Sequence, residues 1–260
     1  MSLLRLSRDE FFGTDESADP GYFRYEDGEH AAWIYPTQKG KSHLAWQALA
    51  AAKRQRPHLN VVTLMPKALS PSTARWAAAM NFRETPVWPP EKKLFQGKPD
   101  GYVVWPPHRR ELSAQADRAQ VAAVLGKAMH QQFWRGNSIT FADDLHLLAV
   151  LMGLNADCEE FWTAGGEGGS ALWGANQKPS GTASSGAVST YFYNSSTHFF
   201  LGRDTDERNQ KRFGEIGGGV DPREITEIVK NLRLYRIGPK TISEVLYIDA
   251  RGPHKCLIGP

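Results

Sequence analysis

A short apolar run, Ala31-Ala32-Trp33-Ile34-Tyr35, passes through Pro36-Thr37-Gln38-Lys39 into Gly40-Lys41-Ser42. A helical stretch from Leu44 to Arg56 follows, closed by Pro57. The run has the length and composition of a buried strand. A strand that turns directly into a helix is the nucleus of a parallel α/β unit. It also leaves the unpaired N–H groups of the helix start facing the strand end, where an anion can sit. At that turn Gly40 permits close backbone approach, Lys41 brings a positive charge and Ser42 brings a hydroxyl that can ligate a metal. The candidate phosphate-binding set is therefore Pro36, Thr37, Gln38, Lys39, Gly40, Lys41, Ser42 and His43. Tyr35 stands where the full pattern G-x-x-x-x-G-K-[ST] has its first glycine. The plain alternative is a polar turn between two elements.

The rest of the chain repeats the alternation. Strands are expected at Val61–Met65, Tyr102–Trp105, Ser138–Ala142, Ala171–Ala175 and Thr197–Leu201. Helices are expected near Ser72–Met80, Leu112–Phe133, Leu145–Met152 and Asp157–Ala164. Asp221-Pro222 opens a further helix, with Ile225, Ile228, Val229 and Leu232 on one face; Asp suits the cap and Pro the first turn. Val245–Ile248 and Cys256–Ile258 read as a closing hairpin. Alternation of this kind predicts an α/β fold whose mostly parallel sheet is covered on both faces. Residues 1–25 are polar and read as an irregular N-terminal arm, leaving 26–260 as a single domain.

Two further segments carry candidate chemistry. Ser138-Ile139-Thr140-Phe141-Ala142 ends in Asp143-Asp144. Two acids at the end of a buried strand suit metal and phosphate chemistry: Asp143 holds a cation, and Asp144 orients or deprotonates a water. The pair also suits a helix start, with Asp144 as N-cap. Ala175-Asn176-Gln177-Lys178-Pro179 places a polar residue just past the next strand, where Gln177 can reach between the second acid and a phosphate.

Composition removes other classes. The two cysteines, Cys158 and Cys256, stand far apart, which excludes a disulfide framework and a thiolate zinc site and suits a reducing compartment. The eight histidines are scattered without a ligand-like pair. No apolar run approaches the roughly 18 residues that span a bilayer. The net charge of +3 permits a nucleic-acid partner without arguing for one.

Taken in order, these segments resemble the FtsK/HerA branch of P-loop ATPases, the DNA-pumping motors that include virus genome-packaging ATPases. Tyr35–Ser42 is similar to that branch's phosphate loop, and Ile139–Asp144 to its hydrophobic strand ending in acids. Phe161-Trp162-Thr163-Ala164-Gly165-Gly166 and Ala175–Pro179 are similar to its helix-Gly-Arg and strand-Thr-Gln-Arg-Pro elements. Asn194–Gly217 is similar to the strand and acidic-basic helix that follow. Asp144 replaces the family's Glu, and Gly166 stands where Arg is often found. The resemblance implies a RecA-like three-layer sandwich with a C-terminal β-hairpin. It implies ATP and Mg²⁺ as ligands, with Ser42 and Asp143 on the metal and Lys41, Asp144 and Gln177 at the reacting phosphate. It also implies an Arg reaching in from a neighbouring subunit, for which Arg203 is the first candidate, then Arg208 and Arg212. The partners implied are double-stranded DNA, further copies in a ring of five or six, and a portal or capsid component, all in the (host) cytoplasm with no membrane. A non-hydrolysing nucleotide-binding scaffold and a small-molecule P-loop kinase are the alternatives.

Overall fold

Continuous runs of apolar residues leave a strand no solvent face, so helices must cover it on both sides. The computed structural model shows this arrangement; it describes residues 3–14, 21–34, 36, 40–67, 71–91, 97–177, 188–216, 219–252 and 254–260. In chain order the elements are β1 (Leu4–Leu6), α1 (Arg8–Phe12), β2 (Ala31–Ile34), α2 (Lys41–Gln55), β3 (Asn60–Leu64), α3 (Pro71–Ala79), β4 (Phe82–Thr85) and β5 (Gly101–Val104). There follow α4 (Ala114–Arg135), β6 (Ser138–Ala142), α5 (Asn155–Glu160), β7 (Ser170–Asn176), α6 (Tyr191–Asn194), β8 (His198–Gly202) and α7 (Glu207–Gln210). The chain closes with α8 (Pro222–Asn231), β9 (Leu234–Ile237), β10 (Lys240–Ser243), β11 (Val245–Asp249) and β12 (His254–Ile258).

Ten strands form one sheet in the order β1-β12-β11-β8-β2-β7-β6-β3-β5-β4. From β8 to β4 every pairing is parallel. The strand β11 pairs antiparallel with both β8 and β12. Alternate residues of each strand feed two cores. Trp33, Phe141, Trp173 and Phe200 point to the side of α1, α2 and α3, where Trp33 and Phe200 stack with centroids 4.7 Å apart. Ile34, Leu64, Leu172 and Leu201 point to the side of α4, α5, α6 and α8. The result is the three-layer α/β/α sandwich that the alternation predicts, with the hairpin β11–β12 joined to its edge.

Several elements differ from the sequence expectation. Residues 1–25 are not an irregular arm: β1 adds parallel to β12, and α1 has a full capping box between Ser7 and Glu10. The polar composition of this segment hides five aromatics, Phe11, Phe12, Tyr22, Phe23 and Tyr25, that its folded course brings together. Phe11, Phe12 and Phe23 are buried, and Phe11 lies edge-on to Phe200 and Tyr247. The strand β4 was not expected within a Pro- and Trp-rich segment; four residues at a sheet edge carry too little periodicity to read. The helix expected over Leu145–Met152 is a π-helical turn over Leu147–Leu151, and the one expected over Asp157–Ala164 begins at Asn155 and ends in a second π turn, Phe161–Gly165. A separate antiparallel hairpin, β9–β10, follows α8.

Gly174 shows how closely β7 is packed. A Cβ added there would lie 2.8 Å from Leu145 Cδ2 and 2.9 Å from Phe192 Cε2. Since Leu145 directly follows the acid pair, Gly174→Val should strain both core and site. We expect it to cost about 1–3 kcal/mol of stability, the usual penalty for overpacking. Thermal unfolding followed by circular dichroism checks this, and an unchanged Tm would contradict the packing described.

Candidate active site

In a doubly covered parallel sheet, ligands bind beyond the carboxyl ends of the strands. Register brings the relevant ends together here. Ile34 pairs with Asn176, Ala142 with Gly174 and Leu64 with Ala142, so β2, β7, β6 and β3 finish at one edge. The strand β7 separates the strand before the phosphate-loop sequence from the strand bearing the acids.

At this edge α2 begins with Gly40 at φ 89°, a left-handed conformation that favours glycine. No side chain caps the first turn of α2, which leaves its N–H groups available to an anion. Lys41 is only 6% exposed, and its Nζ has no hydrogen-bond partner among the described residues. Burial pushes the Lys41 ammonium down to about 7, opposed by the negative charges of Asp143 and Asp144. Asp143 is 5% exposed, and its Oδ1 is likewise buried without a partner among the described residues. Buried polar atoms are costly when unsatisfied. A cation-seeking carboxylate oxygen and an anion-seeking ammonium, left this way at one strand edge, fit a metal–phosphate ligand.

Asp144 takes the capping role that the sequence allowed. Its Oδ1 accepts from the Leu147 backbone N–H at 3.2 Å, and its Oδ2 lies 3.3 Å from Lys67 Nζ. Ser42 is half-buried on the first turn of α2. His43 is exposed there, its ring 5.1 Å from that of Trp76. Pro36 is half-buried, while Tyr35, Thr37, Gln38, Lys39, Lys178 and Pro179 lie outside the described residues. Gln177 is half-buried immediately past β7. Its neighbour Asn176 is fully buried and hydrogen-bonded to the Tyr193 hydroxyl.

The three arginines are placed differently. Arg203 leaves β8 at the same edge and donates from Nη1 to the Leu232 carbonyl at 3.3 Å. Arg208 is exposed and pairs with Asp206 at 3.0 Å. Arg212 donates to the Val188 carbonyl, pairs with Glu215 and lies 4.5 Å over the Tyr193 ring. Those three contacts hold Arg212 within its own chain. Among the described residues no group of three or more His, Cys, Asp or Glu could hold a metal.

One residue of the site went unread in the sequence. Lys67, just past β3, reaches both acids, at 3.7 Å from Asp143 Oδ2 and 3.3 Å from Asp144 Oδ2. A lone Lys after a strand carries no motif. Only the β3–β6 pairing places it against the acids.

No protein-family model matches the chain, and no curated protein matches it. Solved structures do. The chain is similar to the genome packaging NTPase B204 from Sulfolobus turreted icosahedral virus 2 in complex with sulfate. That match has a TM-score of 0.58 at 10% identity and covers 89% of this chain and 96% of that one. It is similar to B204, the DNA-packaging ATPase from Sulfolobus turreted icosahedral virus, with a TM-score of 0.57 at 13% identity over 91% and 99% of the two chains. The virus 2 protein in complex with ATP-gammaS matches with a TM-score of 0.55 at 10% identity over 89% and 97%. The fold is an α/β fold of the RecA-like kind. Among the described residues no helix is long and apolar enough to cross a membrane.

Proposed function

We propose that the protein is a Mg²⁺-dependent ATPase that moves double-stranded DNA, a motor of the genome-packaging kind. The observation that carries this reading is the pair of buried polar atoms, Lys41 Nζ and Asp143 Oδ1, that have no hydrogen-bond partner among the described residues at the carboxyl edge of a RecA-like sheet. The similar solved structures, a packaging NTPase with sulfate and with ATP-gammaS, support it.

In this reading the triphosphate lies on the N-terminal turn of α2, wrapped by residues 36–43, and Lys41 reaches the β- and γ-phosphates. Ser42 and Asp143 hold the metal. When bound there, Mg²⁺ would supply positive charge that offsets what develops in phosphoryl transfer. Asp144 orients the attacking water, and Gln177 stands between that water and the γ-phosphate. Arg203 would act across a subunit boundary, giving up its bond to the Leu232 carbonyl to meet the next protomer's phosphate. That role requires a homomeric ring, of five or six copies, around the duplex in a cytoplasmic setting, with a portal or capsid component at one end.

The hairpin β9–β10 suits a DNA contact coupled to the site. Leu234 and Ile237 are about half exposed, and Arg233 and Arg236 are exposed beside them. On its inner face Ile242 lies close to Gly40, 3.6 Å from where a Cβ would stand. A strand of phosphates held by these arginines would make binding salt-dependent.

A nucleotide-binding scaffold is the second reading, favoured by one observation: Asp144 is already engaged by Lys67 and by the Leu147 N–H. Phosphate release from ATP, with and without duplex DNA, separates the two. We expect turnover that duplex DNA raises several-fold at low salt, the increment fading as salt is added. Tight ATP-gammaS binding with no turnover in either condition would sink the motor and leave the scaffold.

A further inference from the structure

The acid pair does not stand open. Lys67 Nζ lies 3.3 Å from Asp144 Oδ2 and 3.7 Å from Asp143 Oδ2, so one ammonium bridges both carboxylates. With the Lys41 side chain beside them, two basic groups face the two acids. A divalent cation approaching Asp143 meets a carboxylate already paired. A phosphate approaching Lys41 meets carboxylates whose repulsion is masked.

The two lysines differ in freedom. Lys41 is buried at a helix start, whereas the Lys67 side chain is 41% exposed. The Lys67 backbone, by contrast, is well held. Pro66 precedes it, the Pro66 carbonyl contacts His108 Nε2 at 3.2 Å, and His108 Nδ1 is held by Asp117 at 2.7 Å. Fixed backbone and exposed head let the ammonium swing on its four-carbon stem while the strand ends stay in place. A cation held on Asp143 would share that carboxylate with the Lys67 ammonium, and like charges so placed repel. It must leave when that cation enters.

We propose that Lys67 is a positioning residue that keeps Asp143 and Asp144 neutralised and Asp144 turned away from water until a divalent cation displaces it. Displacement frees Asp144 Oδ2 while the Leu147 N–H keeps hold of Oδ1, so the carboxylate is released without losing its aim. The device ties hydrolytic competence to metal–nucleotide arrival and suppresses idle turnover. It rests on the assignment of Asp143 and Asp144 to metal and water made above.

The test is Mn²⁺ binding followed by electron paramagnetic resonance, on the full chain, without nucleotide and with ATP-gammaS. Lys67→Met should tighten nucleotide-free Mn²⁺ binding about two- to five-fold, the range open to a half-exposed ion pair. Lys67→Arg, which keeps the charge, should bind Mn²⁺ as the wild type does. Lys67→Met should also raise DNA-independent turnover relative to the DNA-stimulated rate. Mn²⁺ affinity unchanged in Lys67→Met, with Asp143→Asn still losing Mn²⁺ in the ATP-gammaS complex, would overturn the Lys67 role and leave the site assignment standing. Asp143→Asn binding Mn²⁺ as the wild type does would overturn the metal assignment, and the Lys67 role with it.

Discussion

Lys41→Met abolishes ATP turnover and leaves the nucleotide-free protein as stable as the wild type or more so. The two halves have one cause. Lys41 brings an ammonium into a place where nothing described hydrogen-bonds it, and burial pushes it from 10.5 down to about 7. The unfolded chain therefore binds a proton that the folded chain has lost between those two values. Stability contributed by this group rises with pH across that window, and its penalty is complete below about pH 7. Methionine fills similar volume without charge, so the variant's Tm should show less dependence on pH from 7 to 10 than the wild type's. Turnover should fall by at least about 10²-fold, the scale on which a single preorganised charge contact acts on a transition state. Triphosphate supplies the missing anion and restores the charged form. ATP-gammaS binding near pH 8 should then take up a proton in the wild type and none in Lys41→Met, measurable by calorimetry in buffers of different ionisation enthalpy. A variant that keeps turnover, or a Tm that falls steeply, would refute the assignment.

Asp144→Asn is expected to lower turnover by about 10²- to 10⁴-fold, the range for a lost general base. Its affinity for ATP-gammaS should stay within a few-fold of the wild type. The substitution is chosen for its geometry. Asparagine Oδ1 can still accept from the Leu147 N–H, so the turn that starts at Asp144 is kept and Tm should barely move. Asp144→Ala removes that acceptor as well, and should cost about 1 kcal/mol of stability beyond the activity loss. Phosphate-release assays and thermal melts on the two variants separate the chemical role from the capping role. Equal turnover in Asp144→Asn and wild type would remove Asp144 from the reaction.

Legibility in the sequence followed the range of the signal. The core strands β2, β3, β6 and β7 are short runs of buried residues flanked by turns, and their order and helices were readable from local pattern. So were the start of α8 at Asp221-Pro222 and the hairpin β11–β12. The elements that escaped are those whose burial depends on distant partners. Phe11 and Phe23 look like stray aromatics in a polar arm until β1 pairs with β12 and brings them onto Phe200 and Tyr247. The strand β4 exists because β5 offers it an edge. Arg212 is one of the sequence's candidates for an Arg reaching a neighbour; its contacts with Val188 and Tyr193 come from chain segments with no local signature.

The sequence by itself determined the α/β alternation, the Gly40-Lys41-Ser42 turn into a helix and the placing of Asp143-Asp144 at a strand end. Each is set by residues within a few positions of one another, through strand burial, helix starts and the spacing of side chains along an edge. Tertiary structure alone decided that β7 lies between the Lys41 and Asp143 strands, that Lys41 and Asp143 are buried with unmet polar atoms, and that Lys67 bridges the two acids. Those facts depend on which strand ends share an edge. Strand order and the desolvation it imposes arise from packing the whole sheet, which no local stretch of residues encodes.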